Sequence, residues 1–308
     1  MKTEELDSLN ISVIKALNLL KDYKLPKINL KKYNFPIVIG SGNAYNAGQI
    51  IFSRQKAIFA NESNALAILQ LYKKLIKNKV ISEAVIISAS GEKDSIWEIK
   101  AAKKMGLKTI LFSCSPNSSA AKLADECLFF PKLSEPYTYN VSTYLSMISA
   151  AFPENIDTLI SFILKLKIPQ KFKQYQAYSF ILPDQFNAIA PMLDIKKSEL
   201  FGPHLSLRAF SFGEARHAKF VIRDQNELVI SFGKNKYFGA TKSRWEININ
   251  KNFGPGAIMA LSYFLIGLIQ EAKPDYFREN ITPFCRDYGY KAYPKSKAFP
   301  VIVPGNIE

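Results

Sequence analysis

Histidine is nearly missing: His204 and His217 are the only two in 308 residues. A histidine-based metal centre has little to work with, and no metal is expected. Cysteine is as scarce. Cys114, Cys127 and Cys285 form an odd set with no close spacing, which argues against a disulfide framework and against a zinc cluster. Long apolar runs are absent too. None reaches the roughly 18 residues a membrane span needs, and the longest candidate, 257–269, fits a buried helix. The opening MKTEELDSLN is polar and acidic, with no signal-type apolar core behind it, so a cytoplasmic protein is expected.

What is present fits a chain that folds around real cores. Apolar residues make up 48% and charged ones 22%, and the length suffices for two domains. The net charge of +15 implies an anionic partner, nucleic acid or a phosphorylated small molecule. The lysines are scattered, however, in pairs such as Lys31-Lys32 and Lys103-Lys104. That pattern fits solvated surface better than a nucleic-acid footprint.

The most informative stretch is 84–95, AVIISASGEKDS. Val85-Ile86-Ile87 reads as a strand buried on both faces. Small hydroxylated residues follow around Gly91, and then Ile96, Ile99, Ala102 and Met105 at helical spacing, with Gly106 as a stop. Strand, small polar turn and helix is how an α/β protein builds an anion site. The helix start supplies free N–H groups, the serines supply hydroxyls and Lys93 a full charge. A capped turn with no ligand fits these residues equally well.

Along the rest of the chain, strands alternate with helices, which argues for parallel sheets. Helices are expected at 4–23, 65–77, 94–105, 118–125, 139–151 and 157–166. Strands are expected at 36–39, 56–60, 85–87, 109–112 and 127–130. The strand at 36–39 ends in a second glycine-bearing turn, 40–48. After the charged stretch 165–173 a less complete cycle follows. Its strands fall at 178–182, 209–211, 228–231 and 245–249, and its helices at 186–194, 196–199 and 255–271. The proline-rich remainder, 273–308, reads as a wrapped tail with little regular structure.

Four stretches, in this order, resemble the SIS (sugar isomerase) family of phosphosugar-binding domains. IGSGNAYNAG at 39–48 is similar to the family's first turn. VIISASGEKDS at 85–95 is similar to its phosphate loop. Glu135 with Val141-Ser142-Thr143 resembles an E-x-x-V-x-x-T segment, and 196–217 resembles K-x-x-E followed by G-E-x-x-H. The resemblance covers about 35–280 and is nearest in pattern to the isomerase half of glucosamine-6-phosphate synthase. It implies an α/β fold of two SIS-type domains, each a parallel sheet flanked by helices, related as a pseudo-repeat. The expected units are a lead-in at 1–30, a first domain at 31–167, a second at 168–282 and a tail at 283–308.

The resemblance also implies site residues. Ser88, Ala89, Ser90, Gly91, Lys93 and Ser95 would hold a sugar phosphate, with Gly42, Asn43, Ala44, Ser142 and Thr143 against the sugar. Glu199 would move a proton between sugar carbons, His217 would open the ring, and Lys196 matches the motif's lysine. Those types suit the chemistry: proton removal beside a carbonyl needs a carboxylate near neutrality, and ring opening an acid/base at neutral pH. The implied activity is isomerisation or deamination of a hexose 6-phosphate by a homodimer without a cofactor, and the alternative is a non-catalytic phosphosugar sensor. The chain departs from the pattern where Lys93 stands for a threonine and Ala44 for a serine. The synthase branch's C-terminal lysine has no clear match, Lys295 and Lys297 lying in the tail, and the glutaminase domain is absent. His204 matches no motif position, and Glu214 reads as a charge partner or helix-end residue.

Overall fold

The computed structural model describes residues 6–294 and 297–307. The first half runs α1 (Leu9–Asp22), β1 (Ile37–Gly40), α2 (Asn43–Ile51), β2 (Ile58–Ala60), α3 (Ala65–Leu71), α4 (Lys73–Lys77), β3 (Glu83–Ser88), α5 (Asp94–Lys104), β4 (Lys108–Ser113), β5 (Glu126–Phe129), β6 (Glu135–Pro136), α6 (Val141–Ala151) and α7 (Ile156–Leu164). The second runs β7 (Ala177–Leu182), α8 (Ala190–Phe201), β8 (Ser206–Ser211), α9 (Phe212–Ala215), β9 (Glu227–Ser231), β10 (Arg244–Glu246), α10 (Pro255–Ala272), α11 (Tyr276–Pro283) and β11 (Ile302–Val303).

Two separate parallel sheets result. The first has the order β2-β1-β3-β4-β5 and the second β10-β9-β7-β8. Numbered within each half, the first sheet is 2-1-3-4-5 and the second 2-1-3-4, the same order less one edge strand. Alternation along the strands explains the layers. Ile37, Ile39, Ala84, Ile86 and Leu111 face a core closed by Leu69, Ile76, Ile99 and Ala102 from α3, α4 and α5. Val38, Val85, Ile87, Ile110 and Phe112 face the other way. That second core also takes Tyr178, Phe180, Leu182, Leu228 and Ile230 from the other sheet, with residues of α1, α2, α6, α8 and α10 between. The sheets are thus apart in hydrogen bonding but share one core. Apolar burial on both faces is what makes these strands continuous hydrophobic runs.

Helix α10 is long and apolar enough to cross a membrane, yet most of it is buried inside the protein. Two expectations fail. The stretch 118–125 is a chain of turns rather than a helix. Its backbone is held by neighbours: Ala120 N–H donates to Gly91 O and Ser119 N–H to Glu92. The tail is more ordered than its prolines imply. α11 forms under an Asp275 cap, with Pro283 as its last residue, and β11 pairs antiparallel with β6.

Candidate functional site

Strand order reverses between β1 and β3, so the turns after them lie at the carboxyl end of the first sheet, at the switch point where open α/β sheets bind ligands. Both turns lead into helices with no side-chain cap. Gly42 precedes α2 with φ 54° and Lys93 precedes α5 with φ 59°. The first is a glycine's conformation. The second is strained for lysine, at a cost of about 1–3 kcal/mol.

Between them the serine loop is folded on itself. Ser88 Oγ accepts from Gly91 N–H at 3.1 Å and Ser90 Oγ from Glu92 N–H at 3.3 Å. Each hydroxyl keeps its own hydrogen to donate. Ala89 O ties the loop to β4 by accepting from Cys114 N–H. Gly91 has φ 62°, and a Cβ there would lie 2.1 Å from Ser118 Oγ, so only glycine fits. Ser95 is buried and donates to Glu92 O, so it braces the turn. Asn43 and Ala44 are buried at the start of α2, and Asn43 Oδ1 has no hydrogen-bond partner among the described residues.

Lys93 does not offer its charge to the open loop. Its ammonium donates to Tyr137 Oη at 2.9 Å and lies 4.2 Å from the Phe299 ring centre, 4.6 Å from Tyr293 and 5.5 Å from Tyr137. Burial pulls its pKa down. The expectation of a freely placed phosphate ligand is corrected here. Nothing in the spacing around Lys93 signals these rings, which come from distant parts of the chain.

Tyr137 and Thr138 lead from this loop to the second half. Thr138 and Asn140 both have positive φ, 78° and 48°, in the link between β6 and α6. Thr138 O accepts from the Lys196 ammonium at 2.6 Å. Lys196 is fully buried on α8, pairs with Glu199 Oε2 at 2.5 Å and lies over the Tyr263 ring at 5.6 Å. Burial raises the Glu199 pKa, and the Lys196 charge opposes that rise. A carboxylate so balanced is suited to take a carbon-bound proton. The site's tyrosines and Thr138 were not legible in the motif.

Ser142 and Thr143 are placed differently from expectation. They are 0% and 1% exposed. Ser142 Oγ accepts from Leu133 N–H, its N–H donates to Glu135, and Thr143 O accepts from Ser146 Oγ. Both hold the start of α6 rather than face a ligand. Glu214 closes a capping box with Ser211, a helix-end role. His204 stacks on Tyr276 at 4.3 Å. Lys297 is exposed on the tail, and Lys295 lies outside the described residues.

His217 follows α9 and lines a different space, a cleft of about 1370 Å³ that also holds Arg54, Arg208, Lys219 and Lys251. The Glu199 side chain bonds to Lys196 instead. Within one chain a run of contacts, from Lys93 to Tyr137 and from Thr138 O to Lys196 and Glu199, joins the end of the serine loop to α8, while His217 lines the separate cleft.

No family model matches the chain, and no curated protein matches it in sequence. Solved structures do match. The glucosamine-6-phosphate deaminase of Thermotoga maritima aligns over 86% of this chain and 92% of its own, with a TM-score of 0.58 at 16% identity. The C-terminal domain of glucosamine-fructose-6-phosphate aminotransferase from Francisella tularensis aligns over 86% and 93%, at 0.54 and 14%. Tagatose-6-phosphate ketose/aldose isomerase from Escherichia coli aligns over 85% and 86%, at 0.53 and 13%.

Proposed function

From this shared fold, that of SIS-type phosphosugar proteins, we propose that the chain is a phosphosugar-binding enzyme, an aldose–ketose isomerase or aminosugar-phosphate deaminase acting on a hexose 6-phosphate. The observation that carries the reading is the Lys196–Glu199 pair, Lys196 fully buried and Glu199 partly so, linked through Thr138 and Tyr137 to Lys93 at the end of the serine loop. The phosphate takes the hydroxyls of Ser88 and Ser90 and the leading N–H groups of α5. Glu199 removes the proton beside the sugar carbonyl and returns it to the neighbouring carbon. Lys196 holds the carboxylate in place, and its charge opposes the rise in pKa that burial imposes.

His217 joins this scheme through a homodimer, in which one copy completes the site of the other. Val221 and Ile222, 78% and 81% exposed just beyond His217, supply an apolar contact for a second copy. The matching strand orders support a pseudo-repeat of two units, 31–167 and 168–282. A phosphosugar sensor is the second reading, and the caging of Lys93 away from the loop favours it.

Calorimetric titration tests the binding claim. A hexose 6-phosphate should bind and the free hexose should not. Losing one serine's charge-assisted bond costs about 1.5–3 kcal/mol, so Ser90→Ala should weaken affinity roughly tenfold or more. Equal affinity for sugar and sugar phosphate would remove the basis for the reading.

A further inference from the structure

Residues 299–306 form a strap across the carboxyl edge of the first sheet. β11 pairs with Glu135 and Pro136, and Tyr137 N–H donates to Val301 O at 2.7 Å. The Asn306 side chain donates to Cys114 O and Phe130 O at 2.7 and 2.8 Å and accepts from Lys132 N–H. Gly305 N–H donates to Ser134 Oγ. Phe299 stacks on Tyr137 at 4.9 Å. The strap reaches the serine loop through Asn306, by way of Cys114, and through Lys93, whose ammonium is closed in by Phe299, Tyr293 and Tyr137.

That ammonium has no carboxylate within ion-pair distance among the described residues. Its partners are a neutral hydroxyl and three ring faces. A ring face attracts a cation through its quadrupole and more weakly than an opposite full charge does. A phosphate monoester offers a charge-assisted bond about twice as strong as a neutral one. Lys93 is also the residue immediately before α5, so its stem starts where an anion on the serine loop would sit. One ammonium on one stem cannot serve both the cage and the anion fully.

We propose that the C-terminal strap and a phosphate monoester compete for the Lys93 ammonium, so that the strap is a latch loosened by anion binding. The inference rests on the serine loop being the phosphate site. When the ammonium turns to the anion, the Tyr137–Phe299 stack loses its cation and hydrogen bond. The backbone pairing with β6 remains, so the strap loosens without leaving.

The test pairs calorimetry with amide hydrogen exchange on the full chain, using inorganic phosphate and fructose 6-phosphate as probes. Bound anion should speed exchange at Tyr137, Phe299, Gly305 and Asn306 about fivefold or more in the wild type. In Lys93→Met, exchange at these amides should not respond to anion. Phe299→Ala removes one competitor and should tighten anion binding roughly threefold to tenfold. Binding that leaves strap exchange unchanged, or a Phe299→Ala variant that binds more weakly, overturns the latch and leaves the phosphate reading standing. Failure of both probes to bind any variant overturns the phosphate reading and the latch with it.

Discussion

Glu98 on α5 is 1% exposed and has one long hydrogen bond, from Ser41 Oγ at 3.4 Å. Burial, helped by the charge of Asp94, pushes its pKa up to about 8. The folded state therefore binds a proton that the unfolded chain releases near the ordinary carboxylate value. Glu98's contribution is fully present below that ordinary value and is lost as pH rises towards about 8. Glu98→Gln keeps the volume and the acceptor for Ser41. It should flatten stability between pH 5 and 8 and raise it at pH 8, as read by urea unfolding at both. A variant with the wild-type pH slope would contradict this. Glu98 lay unnoticed in the sequence because an exposed helical glutamate reads the same. The placement of Ser88 and Ser90 in a strand-to-helix turn and of Glu199 on a helix was legible, because the apolar runs on either side fix it. The fate of Lys93 was not: its cage is built from Tyr137, Tyr293 and Phe299, which only the fold brings together.

At the scale of elements, α1 is docked onto α10 by close approach and by hydrogen bonds from the start of α1 to the end of α10. Leu9 N–H donates to Gln270 Oε1 at 2.9 Å, and the Ser8 and Asn10 side chains donate to Glu271 at 2.7 and 2.9 Å. Gly267 permits the contact, since a Cβ there would lie 2.0 Å from the Asn10 backbone nitrogen. Gly267→Ala should force α1 outward and destabilise the protein by about 1–3 kcal/mol, measured as a lower thermal midpoint. An unchanged midpoint would mean that α1 docks loosely. The central strands were readable because β1 and β3 are apolar on both faces. The region 118–125 misled because its helical spacing is overridden by bonds to the serine loop. In the tail the count of prolines hid α11, where Pro283 sits at the end and breaks nothing.

For the whole molecule, the sequence shows two βα rhythms but neither the shared strand order nor the common core, which depend on contacts between the halves. The His217 motif was legible, whereas its place in the cleft away from Glu199 was not. The proposed homodimer would reconcile the two. Light scattering at micromolar concentration should give twice the 34.8 kDa of one chain, and a monomer mass would leave His217 outside the reaction. The proposed reaction has Glu199 move a carbon-bound proton of a sugar held at the serine loop. It is tested most directly by incubation with fructose 6-phosphate, glucose 6-phosphate and glucosamine 6-phosphate in deuterated water. The wild type should place deuterium on the carbon beside the carbonyl of at least one of them. Glu199→Gln should slow that exchange roughly a hundredfold or more with affinity little changed. Tight binding of a hexose 6-phosphate with no exchange by the wild type would contradict the account and leave a sensor.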